Sequence, residues 1–218
     1  MLFGSEPFSS LLRVSNLEWY KYDWIWEKSI TTGFQHSKNK PLKAHENISV
    51  FSKGVTNHKT LSANRMVYNP QMKNGTPYKK VQKTPNVGNG SMHNASKVNL
   101  DYVGTIKDNK GVRYPNSVLR FPMHNHKDHP TQKPVALLQY LIRTYTNPNE
   151  IILDNTMGSG TTLVAAQREG RRAVGIELSE DYCKIAVERL RQPSFFSIPD
   201  KPQPPQAEQM ALIEQGQT

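Results

Sequence analysis

A chain of 218 residues, 36% of them hydrophobic, can bury one sizeable core with an inserted subdomain and is not obliged to be two domains. Its one cysteine, Cys183, excludes an internal disulfide and points to a reducing, cytoplasmic setting; no apolar run approaches the roughly 18 residues of a membrane span, and Met1-Leu2-Phe3-Gly4 lacks the basic segment of a signal peptide. The net charge is +10, and between Lys28 and Lys127 17 Lys and Arg stand against only Glu46, Asp101 and Asp108, the electrostatic footprint of a region that meets a polyanion.

Leu2-Phe3-Gly4 reads as the end of a strand running into the turn Gly4-Ser5-Glu6-Pro7. Phe8 to Asn16 suits a helix with Phe8, Leu11, Leu12 and Val14 on one face. Tyr20 to Lys28 alternates Tyr22, Trp24 and Trp26 against Asp23, Ile25 and Glu27, the period of a strand whose aromatics face a core. A Lys-rich loop, Thr31 to Lys43, leads past His45-Glu46 to a strand over Ile48 to Lys53, placed to pair antiparallel with the first.

From Gly54 to Arg120 periodicity gives way to Asn, Gly, Lys and Pro, as in a loop-rich module ordered in part on binding. Neither a repeat nor a zinc-type Cys and His spacing occurs. His124, His126 and His129 read as surface or turn residues, so no metal is expected.

His129-Pro130-Thr131-Gln132-Lys133-Pro134 introduces a helix with Val135, Leu138, Leu141, Ile142 and Tyr145 on one face, Pro134 in its first turn and Thr131 as a nearby cap. After the breaker Asn147-Pro148-Asn149, the run Ile151 to Asp154, the turn Met157-Gly158-Ser159-Gly160 and the segment Thr161 to Ala166 read as strand, tight turn and helix. Gly158 and Gly160 permit positive φ and bare backbone beside a ligand, with unpaired helix N–H groups behind. Gly170 ends that helix, and Ala173 to Ile176 forms a strand ending at Glu177, where doubly wound folds grip ribose hydroxyls. Leu163 stands where a dinucleotide fingerprint has its third glycine. Two carboxylates, Asp154 and Glu177, suit a ligand with ribose and positive charge better than one with phosphates. Ser179 caps a helix from Glu180 to Leu190 with Cys183, Ala186, Val187 and Leu190 inward, and the Pro- and Gln-rich tail beyond Gln192 reads as disordered.

Taken together, His129 to Pro134, Asp154 to Thr162 and Gly175-Ile176-Glu177 resemble the successive S-adenosylmethionine-binding motifs of amino-group DNA methyltransferases, the N6-adenine and N4-cytosine enzymes, in the permuted order with the catalytic half first. The resemblance implies an α/β, Rossmann-like S-adenosylmethionine-dependent methyltransferase sheet with a loop-rich basic insertion. It divides the chain into part of the catalytic half (1–53), a target-recognition region (54–120), a cofactor half (121–192) and a tail (193–218). It implies that S-adenosyl-L-methionine is held by Lys133, Pro134, Asp154, Met157, Gly158, Gly160, Thr161 and Glu177, and that double-stranded DNA is the partner. Phe34 is a candidate for stacking on a base.

Such enzymes grip the extruded base with an Asp/Asn/Ser-Pro-Pro-aromatic tetrapeptide. No such tetrapeptide occurs here, and the only Pro-Pro is Pro204-Pro205. The expectation is therefore a sheet truncated at its N-terminal side, with no catalytic residue to name and no methylation by this chain alone. It would then be a remnant, a late start, or one half of a split enzyme completed by a separate chain. Adenine N6 is the first-choice target and cytosine N4 the alternative. The competing readings are a catalytically silent DNA-binding relative and a nicotinamide-dependent oxidoreductase sharing the G-x-G turn.

Overall fold

The computed structural model describes residues 1–57, 62–85, 102–123 and 132–192. In chain order the elements are β1 (Leu2–Gly4), α1 (Phe8–Ser15), β2 (Tyr20–Thr32), β3 (Lys43–Phe51), β4 (Lys73–Asn74), β5 (Tyr78–Pro85), β6 (Tyr102–Asn109), β7 (Val112–Arg113), β8 (Val118–Arg120), α2 (Val135–Tyr145), β9 (Ile151–Asp154), α3 (Thr161–Arg168), β10 (Arg172–Gly175) and α4 (Glu180–Arg191). Contacts divide them into a larger unit, Met1–Gln71 and Pro115–Ser197, and a smaller one built on Met72–Tyr114. None of the described helices is long and apolar enough to cross a membrane.

The larger unit holds a four-stranded sheet in the order β1-β3-β2-β8. Strands β1 and β2 pair antiparallel with β3, and β8 joins β2 in parallel. Register puts Phe3 and Trp24 opposite Ile48, and Leu119 opposite Trp26. Paired residues share a face of the pleat, so these apolar groups line one side, and Trp24, Trp26, Ile48, Val50 and Leu119 are buried there. The alternation read from the sequence thus marks the core face, and β3 begins earlier than expected, at Lys43, bringing His45-Glu46 into the ladder.

Helix α2 packs on that face. The expected stripe held Leu138, Leu141 and Ile142, but Leu137, Tyr140 and Thr144 are also buried, because α3 covers the helix as well. Tyr145 Oη accepts the Trp24 indole N–H and donates to Tyr22 Oη, while the Trp26 indole N–H donates to the Phe121 carbonyl at 3.0 Å. Both tryptophan indoles and the Tyr145 hydroxyl are thereby satisfied, whereas Tyr140 Oη is buried without a partner among the described residues. Pro134 stands at the N-cap, one place before the first turn. The expected cap Thr131 and the histidines 124, 126 and 129 lie outside the described residues.

Helix α1 forms where expected but faces otherwise. Phe8, Leu11 and Val14 are exposed, and Ser9 is buried. The sheet face beneath carries Asn47, Ser49 and Asp23, so a polar side of the helix meets it: the Arg13 guanidinium donates to Ser49 Oγ at 3.2 Å and to Asp23 at 3.0 Å. Leu2 and Ile25 share that face, but Phe8 or Leu11 packed in place of Arg13 would leave Ser49 and Asp23 without its hydrogen bonds.

Strands β9 and β10 pair in parallel, Asp154 opposite Gly175, with α3 as the crossover. Ile152 and Ala173 pack against the core, while Ile151, Leu153, Val174 and Ile176 are exposed. Ser179 Oγ caps α4 by accepting from Tyr182 N at 3.5 Å. Of the residues expected inward on α4, Ala186 is buried, Cys183 is half-buried and Val187 is exposed. The tail from 193 lies outside the described residues.

The smaller unit is built on the β5–β6 hairpin, Tyr78 opposite Asn109, and a short β4–β7 pair. Arg113 lies over the Tyr78 ring, 4.7 Å from its centroid, and donates to the Thr76 carbonyl.

Candidate functional site

Parallel strands present their carboxyl ends to a common crevice, and here those ends are acidic. From Asp154 the chain turns back on itself. Ile176 N donates to the Asp154 carbonyl at 2.9 Å, Met157 N to the Ile176 carbonyl at 3.0 Å, and Gly160 N to the Met157 carbonyl at 2.9 Å. Gly158 and Gly160 have φ of 53° and 74°, a backbone region costly to other residues. Gly175 is required for a different reason: a Cβ there would collide with the Met157 sulfur and the Leu163 methyls.

Glu177 closes the turn. One oxygen accepts Gly158 N at 2.9 Å, and the other accepts Leu178 N and Ser179 N, each at 2.9 Å. Asp154 accepts Thr156 N at 3.2 Å through Oδ1, and its Oδ2 has no partner among the described residues. These carboxylates can take hydroxyl and cationic groups of a ligand, and would repel phosphates.

The turn is backed from α4. Arg189 donates to the Ser159 carbonyl at 2.6 Å, to Ser159 Oγ at 2.8 Å and to Thr161 Oγ1 at 3.0 Å, and a Cβ on Gly160 would stand 2.7 Å from Ala186 Cβ. From the other side Ser159 Oγ donates to Gln132 Oε1 at 3.2 Å, and Gln132 Nε2 is buried without a partner among the described residues.

The next residue, Lys133, reaches the first sheet. Its ammonium lies 2.7 Å from Glu46 Oε2, and Lys28 Nζ lies 2.5 Å from Glu46 Oε1. Burial alone would raise the Glu46 carboxyl. Hydrogen bonds from Lys133 and Lys28, with their charges, outweigh it and hold the group below the ordinary glutamate range.

The fold therefore gathers Asp154, Met157, Gly158, Gly160, Thr161 and Glu177 around one turn, with Lys133 and Pro134 joined to it through Gln132. Phe34 stands apart on the short 3-10 turn Phe34–His36, 79% exposed. Among the described residues no group of three His, Cys, Asp or Glu could hold a metal ion. Glu46, Lys28, Ser159 and Arg189 emerge only from the fold. The i, i+3 spacing of Ala186 and Arg189 was a signal for one shared face of α4, and the sequence carried none for the Glu46 pairings.

A family model described as DNA methylase, for N6 and N4 methyltransferases, matches residues 7–188. DNA adenine methyltransferase YhdJ of Escherichia coli (strain K12) is 36% identical over 111 residues, 49% of this chain. Type II methyltransferase M2.DpnII of Streptococcus pneumoniae is 52% identical over 62 residues, 28% of this chain. The matches span 35% and 23% of those relatives' own lengths. The crystal structure of the M1.HpyAVI–SAM complex superposes with a TM-score of 0.53 at 23% identity, covering 87% of this chain and 72% of that one. PvuII DNA methyltransferase, cytosine-N4-specific, gives 0.53 at 16% identity, over 86% and 57%. At these identities the likeness is one of fold, the Rossmann-like α/β arrangement expected from the sequence.

Proposed function

Because this chain belongs to the N6/N4 DNA methylase family, we propose that it serves methyl transfer from S-adenosyl-L-methionine to an exocyclic amine of a base in double-stranded DNA. Adenine N6 is the first-choice target and cytosine N4 the alternative. The observation that carries this reading is the pair of carboxylates, Asp154 and Glu177, at neighbouring strand tips on either side of the glycine turn.

The residues present fit the cofactor. The unpartnered Oδ2 of Asp154 and the acceptors of Glu177 suit its hydroxyls and cationic groups. The backbone of Gly158, Gly160 and Thr161 and the side chain of Met157 form the wall, and Lys133 and Pro134 close the opposite side. When bound, that cofactor supplies an electrophilic methyl group. The protein's part is to orient it and exclude water, a task of positioning in which no metal takes part.

The basic stretch 54–120 would make the phosphate and base contacts, and Phe34, exposed on its hairpin, would stack on a base. No residue here is offered as the group that grips the target amine, since the 218 residues contain no Asp/Asn/Ser-Pro-Pro-aromatic tetrapeptide. It would come from outside these residues, on a longer form of the chain or on a separate one. In support, among the described residues β9 pairs on one side only, with β10, and their outward side exposes Ile151, Leu153, Val174 and Ile176, whereas parallel strands are ordinarily covered on both faces. The setting would be the cytoplasm, in keeping with the lone Cys183.

The test is transfer of labelled methyl groups to mixed-sequence DNA, by the chain alone and with a partner supplying the tetrapeptide. Transfer only with the partner is expected. Cofactor binding without transfer in either case would favour the catalytically silent, DNA-binding reading.

A further inference from the structure

Glu46 is one carboxylate shared by two ammonium groups. The side chains of Lys28, Glu46 and Lys133 are 8%, 15% and 22% exposed, so a net charge of +1 is held where water is largely excluded, a costly arrangement unless used. Alone, Lys133 and Glu46 would cancel. Lys28, the most deeply buried, balances the carboxylate and leaves the charge of Lys133, the most exposed of the three, fixed but uncancelled.

Each ammonium has three N–H donors, and among the described residues Glu46 is the only acceptor for either lysine. The remaining contacts are ring faces: Lys133 lies 5.3 Å from the Phe3 centroid and 5.6 Å from that of Trp26, and Lys28 lies 5.4 Å from Trp26. Ring faces attract a cation without neutralising it. Between Lys28 and His45 the chain adds Lys38, Lys40 and Lys43 and no carboxylate. Gln132, beside Lys133, touches Ser159 of the glycine turn.

We infer that Lys133, held by Glu46 and balanced by Lys28, is the seat of one backbone phosphate of the DNA strand brought to the glycine turn. The inference rests on the reading of the chain as one that acts on DNA. Glu46 and Lys28 are then positioning residues, acting through Lys133.

The experiment is fluorescence anisotropy of the full chain with a short labelled duplex across a salt series, with calorimetry against S-adenosylmethionine in parallel and circular dichroism to check folding. Lys133→Gln is expected to weaken DNA binding and make the slope of log K against log salt shallower by about 0.9, the share of one phosphate. Lys133→Arg keeps the charge and should restore the slope. Glu46→Gln, which leaves two uncancelled ammoniums, should tighten binding several-fold at low salt. Variants that lose thermal stability but keep the wild-type slope, or a Lys133→Gln effect confined to cofactor binding, would overturn the inference. So would a wild-type chain that binds no duplex at low salt. DNA binding with the expected slopes but no cofactor heat would instead sink the methyl-transfer reading and leave this one standing.

Discussion

The Glu177 carboxylate accepts the backbone N–H of Gly158 at 2.9 Å, so the residue beyond β10 holds the turn that follows β9. Because the same carboxylate also takes Leu178 N and Ser179 N, it orders both sides of the crevice before any ligand arrives. Hydrogen bonds to a charged group contribute about 1.5–3 kcal/mol each. Glu177→Ala is therefore expected to lower cofactor affinity at least tenfold and to speed amide exchange at Gly158 and Ser179. Glu177→Gln, which keeps an acceptor oxygen, should lose less. Unchanged exchange at Gly158 in the alanine variant would show that the carboxylate does not order the turn.

Gly160 and Gly170 make a matched pair. Both have positive φ, 74° and 66°, but a Cβ at Gly160 would meet Ala186 at 2.7 Å and one at Gly170 would meet nothing within 4 Å. Gly170→Ala should cost the backbone term alone, about 1–2 kcal/mol. Gly160→Ala should cost a further 1–3 kcal/mol or so from overpacking against α4. Urea denaturation of the two variants measures the difference, and equal losses would mean that α4 does not press on the turn.

The Glu46 carboxyl sits below its ordinary value of 4.5 in the folded chain. A group whose folded value is depressed contributes stability that is present above the unfolded value and lost as pH falls through the folded one. The stability advantage of the wild type over Glu46→Gln should accordingly shrink as pH drops below about 4.5. A melting-temperature difference that stays constant from neutral pH into that acid range would contradict the Lys28–Glu46–Lys133 assignment.

What the sequence revealed follows from how local each signal is. Trp24 and Trp26 announce a core face because period 2 is written in adjacent residues, and the glycine turn is legible because Asp154, Gly158, Gly160 and Glu177 lie within one short crossover. The orientation of α1 was not legible: Phe8, Leu11 and Val14 read as an inward stripe, but the opposing face carries Asn47, Ser49 and Asp23, which only strand register reveals. Glu46 was hidden for the same reason, since its partner Lys133 lies 87 residues away. Arg189 binds Ser159 through a helix packing that residue spacing allows but does not demand.

Asp154 and Glu177 are the two acidic jaws of the proposed methyl-donor site, and titration calorimetry with S-adenosylmethionine tests them most directly. The wild-type chain should give saturable heat that Asp154→Ala and Glu177→Ala each abolish or weaken at least tenfold, while a nicotinamide dinucleotide gives none. Heat that survives both substitutions, or heat from the nicotinamide and not from the methyl donor, would contradict it.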